Sequence, residues 1–104
     1  MEKRLQRSGN ILQVKVPAEV DHCFTDALRD EIDRRVQTED IKILEFDFSE
    51  TEFMDSSGIG LLMGRYKLVR ALGGMVRISH AGERIRKILM LSGIHKIIQI
   101  ERES

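Results

Sequence analysis

Phe53-Met54-Asp55-Ser56-Ser57-Gly58-Ile59-Gly60 is the stretch on which the reading of this chain turns. Before it runs Ile41-Lys42-Ile43-Leu44-Glu45-Phe46-Asp47-Phe48, apolar at most positions, as expected of a central strand covered on both faces. After it, residues from about Ser57 to Leu72 read as a helix that closes on Gly73-Gly74. Between strand and helix lies the polar loop Ser49–Asp55. The octapeptide therefore marks a helix start, where unpaired backbone N–H groups and partial positive charge welcome an anion. A serine there can cap the helix, act as a nucleophile, or accept a phosphoryl group.

Working outward, the remaining segments fall into place around this junction. Leu5-Gln6-Arg7 reads as a short strand, and Ser8-Gly9-Asn10 as a hairpin turn. The run Ile11–Val16 alternates apolar and polar from Leu12 on, the mark of a half-buried strand, and Pro17 stands at its end. Phe24, Ala27, Leu28, Ile32 and Val36 recur at helical spacing, which predicts an amphipathic helix over Phe24–Thr38 capped by Asp21 or Thr25. Met75–Ser79 reads as a strand. Glu83–Leu91 reads as a helix with Ile85, Ile88 and Leu89 on one face and Gly93 beyond its end. Ile97-Ile98-Gln99-Ile100 supplies a last short strand. The order ββαβαβαβ predicts an α/β fold, a mixed β-sheet of four to five strands with about three helices packed on it. Strand-to-helix loops on one edge of such a sheet cluster together, so Ala18–His22 is expected near the octapeptide.

Length and composition narrow the class. The 104 residues suit a single domain spanning 1–104, and 41% hydrophobic residues can form a core without staples. Aromatics are few, so aliphatics and the five methionines must fill the interior. One cysteine, Cys23, allows no internal disulfide and fits a reducing compartment. Apolar runs fall short of the roughly 20 residues a membrane span needs, and the basic start Met1–Arg7 leads into no signal-peptide core, so a cytoplasmic protein without membrane attachment is expected. The net charge of zero argues against nucleic-acid binding, which leaves a dominant basic footprint. The charges are nonetheless segregated. Ile43–Gly64 contains no Lys or Arg but holds Glu45, Asp47, Glu50, Glu52 and Asp55; from Arg65 to Lys87 seven basic residues face only Glu83. These segments are either two solvated faces of opposite sign or an acidic surface that meets a basic partner near Ser56.

The residues of the octapeptide limit its chemistry. Capping needs one of Asp55, Ser56 and Ser57, so three in a row exceed what the helix requires. A serine nucleophile needs a base and an orienting acid, but the Gly-x-Ser-x-Gly elbow is absent. Nothing in the sequence brings His22, His80 or His95 to this loop. A hydrolase using Ser56 or Ser57 would still be revealed by a serine-directed phosphonate probe. Gly58-x-Gly60-x-x-x-Gly64 follows a strand and opens a helix, yet Met63 stands where the third glycine of a dinucleotide fingerprint belongs, and no Gly-Lys-Ser/Thr follows. The three histidines and one cysteine lack metal-ligand spacing, so neither metal nor cofactor is expected. The glycines instead leave the first turn of the helix bare, open to the close approach of a protein partner. Residue chemistry alone does not choose between Ser56 and Ser57.

Taken together, Ala18-Glu19-Val20-Asp21-His22, the Asp55-Ser56-Ser57-Gly58 core, Gly64-Arg65-Tyr66-Lys67, Gly73-Gly74 and Ser92-Gly93-Ile94 with Lys96-Ile97-Ile98 resemble the STAS domain, specifically its anti-sigma-factor antagonists. The resemblance runs in order along nearly the whole chain. It implies a partner switch with no enzymatic activity of its own. The unphosphorylated antagonist binds an anti-sigma factor that is also a serine kinase, frees the sigma factor, as in sporulation-type control, and is released when the kinase phosphorylates it. A serine phosphatase resets the cycle. The implied phosphorylation site is Ser56, and the implied partner-binding set is Asp21, Asp55, Ser57, Gly58, Ile59 and Gly60. A STAS-type scaffold or nucleotide-binding module without such a switch is the alternative. The chain departs from the family pattern at Ala18, where a glycine is usual, at Cys23, where a second histidine is usual, and in its C-terminal helix, missing or very short here because the chain stops at Ser104.

Overall fold

The computed structural model describes residues 4–101; the first residues of the basic start and the C-terminal end lie outside them. Five strands form the main sheet in the order β1 (Leu5–Ser8), β2 (Ile11–Lys15), β4 (Ile43–Asp47), β6 (Met75–Ser79), β7 (Gln99–Ile100). The hairpin β1–β2 is antiparallel and the other pairs are parallel, so the sheet is mixed, as expected. Gly9 turns the hairpin at φ +61°, a conformation glycine adopts without steric cost. Three α-helices lie among the described residues: α1 (His22–Thr38), α2 (Ser56–Ala71) and α3 (Glu83–Ser92). Both α1 and α2 begin slightly earlier than their apolar periodicity suggests, because aspartates, Asp21 and Asp55, cap them directly.

One face of the sheet forms the core with the helices. Leu12, Val14, Leu44, Phe46, Val76 and Ile78 lie on it, joined by Leu28 and Ile32 of α1, Leu61, Leu62 and Val69 of α2, and Ile85 and Leu89 of α3, all buried. The other face differs from the expectation for β4. Its rows, set by strand register, are Ile11–Ile43–Met75, Gln13–Glu45–Arg77 and Lys15–Asp47–Ser79. Glu45 is buried in the middle of a polar network, accepting from Gln13 Nε2 at 2.8 Å, Arg77 Nε at 2.6 Å and Ser79 Oγ at 3.1 Å. Burial pushes the Glu45 carboxyl up, but these three donors outweigh it and hold the group below its ordinary value. The high burial of β4 thus comes from apolar packing on one side and satisfied polar contacts on the other.

Two strands of two residues each were not foreseen. β3 (Glu19–Val20) and β5 (Phe53–Met54) pair in parallel as a separate small sheet, within the segments read as loops. Elements this short carry no periodicity to detect.

Candidate functional site

The small sheet latches the two strand-to-helix loops together. The N–H groups of Glu52 and Phe53 both donate to the Ala18 carbonyl, at 2.8 and 3.0 Å, and the Asp55 N–H reaches the Val20 carbonyl at 3.4 Å. Register places Glu19 opposite Phe53 and Val20 opposite Met54. Because side chains alternate along a strand, Val20 and Met54 point into the domain while Glu19 and Phe53 point out. Asp21 follows β3 and Asp55 follows β5, so the first turns of α1 and α2 lie beside one another, as the clustering of such loops predicts.

Both aspartates act as caps. Asp21 Oδ1 accepts from the Phe24 N–H at 3.0 Å, and Asp55 Oδ1 accepts from the Ser57 N–H at 2.8 Å and from the Ser57 hydroxyl. The Ser57 hydroxyl and backbone N–H hold the Asp55 carboxyl below its ordinary value, against a smaller effect of burial, with the nearby His22 adding to the lowering. The two serines therefore differ. Ser57 is half-buried with its hydroxyl engaged by the cap, whereas Ser56 is exposed and its hydroxyl has no hydrogen-bond partner among the described residues.

The latch also brings His22 to this loop, in line with the expected clustering of Ala18–His22 with the octapeptide, although no motif pairs a histidine with either serine. His22, Thr25, Asp26 and Arg29 of α1 and Ser57, Gly60, Leu61 and Arg65 of α2 line a cleft of about 250 Å³. Neither serine donates to the imidazole among the described residues; His22 Nε2 instead lies 3.6 Å from Cys23 Sγ. The nucleophile–base contact that a serine hydrolase requires is not assembled. Beneath the cleft Arg65 is buried in an ion pair with Asp33, Nε to Oδ1 2.7 Å, tying α2 to α1. No group of three or more His, Cys, Asp and Glu converges as a metal site among the described residues, and no helix there is long and apolar enough to cross a membrane.

The glycines separate in the same way as the serines. Gly58 is buried, and a Cβ on it would lie 2.3 Å from Met54 Cγ and 2.5 Å from its Sδ. Its missing side chain serves the packing of α2 on the small sheet, so the bare-turn reading does not hold for Gly58. It does hold for Gly60, where an added Cβ would meet nothing within 4 Å. Ile59 between them is half-buried against the core.

The chain matches the STAS domain over residues 2–104. It belongs to the STAS domain family. Among curated relatives, the anti-sigma F factor antagonist of Paenibacillus polymyxa is 29% identical, the match covering 96% of this chain and 86% of the relative. The anti-sigma-B factor antagonist of Bacillus subtilis (strain 168) is also 29% identical, over 96% of this chain and 90% of the relative. The fold is that of the anti-sigma factor antagonist SpoIIAA. Its unphosphorylated form superposes with a TM-score of 0.85 at 24% identity, covering 95% of this chain and 87% of that one. SpoIIAA has also been solved phosphorylated, with a TM-score of 0.76 at 24% identity, covering 95% and 90%. These relatives are named as anti-sigma factor antagonists.

The surface charge of this STAS domain differs from the linear pattern. Glu45 and Asp47 are buried, Asp47 accepting from the Ser49 N–H at 2.9 Å and lying 3.3 Å from His80 Nδ1. Glu50 pairs with Arg4 and Lys15. Of the five acids in the basic-free window, Glu45 and Glu50 are thus paired with cations and Asp47 is buried, and the basic segment likewise loses Arg65 to Asp33 and Arg77 to Glu45 and Glu101. What remains beside Ser56 is an acidic rim with a different membership. Glu52 and Asp55 come from the β5 side, Glu19 and Asp21 from the β3 side, and none of the four makes an ion pair among the described residues. Glu19 was legible only as a loop residue; the pairing that carries it to the rim is tertiary.

Proposed function

We propose that this STAS domain is an anti-sigma factor antagonist. In its unphosphorylated form it docks on an anti-sigma factor with serine kinase activity and releases the sigma factor; phosphorylation of Ser56 ends the binding, and a serine phosphatase restores it. The observation that carries this reading is the contrast at the start of α2. Ser56 offers a free, exposed hydroxyl within an acidic rim, while Ser57 beside it is held by the cap. The names of the curated relatives support the antagonist role, and the existence of SpoIIAA in phosphorylated and unphosphorylated forms supports the switch. On this reading Asp21, Asp55, Ser57, Ile59 and Gly60 form the docking surface, and Gly58 contributes by letting α2 sit close on Met54.

The switch follows from electrostatics at the interface rather than from unfolding. A phosphoserine adds about −1.5 to −2 charges at pH 7. At a helix N-terminus that charge is locally stabilised, so the fold survives. On a rim that already holds Glu19, Asp21, Glu52 and Asp55, a bulky dianion must be desolvated against the partner. A loss of about 3–5 kcal/mol weakens binding from roughly a hundred-fold to a few thousand-fold. Calorimetric titration of the anti-sigma factor with wild type, Ser56→Ala and Ser56→Asp tests this. Ser56→Ala should bind like wild type and resist modification. Ser56→Asp should keep its melting temperature and lose affinity; if it unfolds, the interface mechanism is wrong.

A further inference from the structure

Among the described aromatics, Phe46 and Phe48 are buried and Phe24 and Tyr66 are partly buried, but Phe53 is 54% exposed. Its exposure is built in. The alternation of β5 sends Met54 inward beneath Gly58, and this leaves Phe53 on the outer face, two residues before the cap of α2. An outward aromatic adds little to its own core and keeps apolar surface in water, and aromatic side chains bordered by a polar rim are enriched at the centres of protein interfaces. That rim is present. Glu19 lies opposite Phe53 in register and Glu52 precedes it, both exposed and without an ion pair among the described residues.

We propose that Phe53 is the apolar anchor of the docking surface and seats in an apolar pocket ringed by basic residues on the anti-sigma factor. The inference rests on the docking role argued above for this face. An aromatic centre with a charged border is the anatomy of an interaction hot spot, where the centre carries affinity and the border steers encounter and excludes wrong partners. Charge complementarity fixes the chemistry of the pocket rim: two uncompensated carboxylates flanking the ring call for lysine or arginine opposite. The same latch that presents Ser56 presents Phe53, so a phosphate on Ser56 would disturb the seating of the ring.

The test is titration of the purified anti-sigma factor with unphosphorylated wild type, Phe53→Ala, Phe53→Leu and Glu52→Lys, with melting temperatures recorded alongside. Phe53→Ala is expected to bind about 30-fold more weakly, the loss typical of a hot-spot residue. Phe53→Leu, which keeps apolar bulk, should fall between, and Glu52→Lys should slow association and reduce its salt dependence. Melting temperatures should stay within about 2 °C of wild type, since a half-exposed ring contributes little to the core. If wild type fails to bind the anti-sigma factor, the functional reading fails and this inference with it. If wild type binds and Phe53→Ala binds equally well, Phe53 is no anchor although the antagonist role stands. A large melting loss in Phe53→Ala, or a wild-type dimer that Phe53→Ala dissolves, would make the ring a structural residue or a self-association contact and would overturn the proposal.

Discussion

Replacing Gly58 and, separately, Gly60 by alanine should move stability in opposite directions. The two residues are a single intervening position apart in one helical turn, and both substitutions bring the same intrinsic gain in helix propensity, about 1 kcal/mol. At Gly60 nothing opposes it, because the new Cβ meets no atom within 4 Å. At Gly58 the new Cβ would stand 2.3 Å from Met54 Cγ and 2.5 Å from Sδ, inside van der Waals contact. Met54 cannot retreat freely, since it is itself only 3% exposed and is fixed on β5 by pairing with Val20. Overpacking of this kind costs about 1–3 kcal/mol. Taking a value toward the upper end and subtracting the propensity gain leaves Gly58→Ala about 1–2 kcal/mol less stable than wild type. The two variants should then differ by about 2–3 kcal/mol, or roughly 10 °C in Tm for a domain of this size. Thermal melts followed by circular dichroism and calorimetry measure this directly. If both variants melt above wild type by the same amount, α2 does not rest on Met54, and the argument separating a packed Gly58 from an open Gly60 is wrong.

Further predictions concern the charges inside the fold. Glu45 has a folded-state carboxyl held below its ordinary value, so it contributes stability that is present above its unfolded value near 4.5 and is lost as pH falls through the folded one. Urea midpoints measured from pH 7 to pH 3 should drop with acidification below that value, and Glu45→Gln should show a shallower drop. Asp33→Ala leaves Arg65 buried without its partner and should cost about 2–3 kcal/mol, less than for a fully buried pair because Asp33 is partly exposed; a loss below about 0.5 kcal/mol would show that the pair does not join α1 to α2. Asp21→Ala removes the cap of α1 and should lower stability by about 1 kcal/mol in denaturant titration, with Asp21→Asn recovering most of it.

The architecture was readable in the sequence because its long elements carry strong periodicity. Leu28, Ile32 and Val36 on α1, and the alternation of Leu12 and Val14 on β2, place themselves without tertiary information. The second face of β4 was not readable. Glu45 and Asp47 look solvated in a linear pattern, and only the register with Gln13, Arg77 and Ser79 makes them burial-competent. The site divides along the same line. The caps, the serines and the proximity of the two loops follow from local composition and topology, while the difference between Ser56 and Ser57 depends on which hydroxyl Asp55 captures. Glu19 on the rim and the outward turn of Phe53 depend on the β3–β5 pairing, and two-residue strands carry little sequence signal. The apolar Val20 and Met54 immediately before the two capping aspartates were the one available hint.

On the proposed function, the free hydroxyl of Ser56, and not the captured hydroxyl of Ser57, is the switch. Incubating the protein with its cognate anti-sigma factor kinase and ATP, then mapping the product by tandem mass spectrometry and measuring its affinity for the same partner, tests it most directly. The expected result is a single phosphate on Ser56 and binding weakened by about a hundred-fold or more, roughly 3 kcal/mol at the least. A phosphate on Ser57, no phosphate at all, or a phosphorylated protein that binds as tightly as before would contradict it.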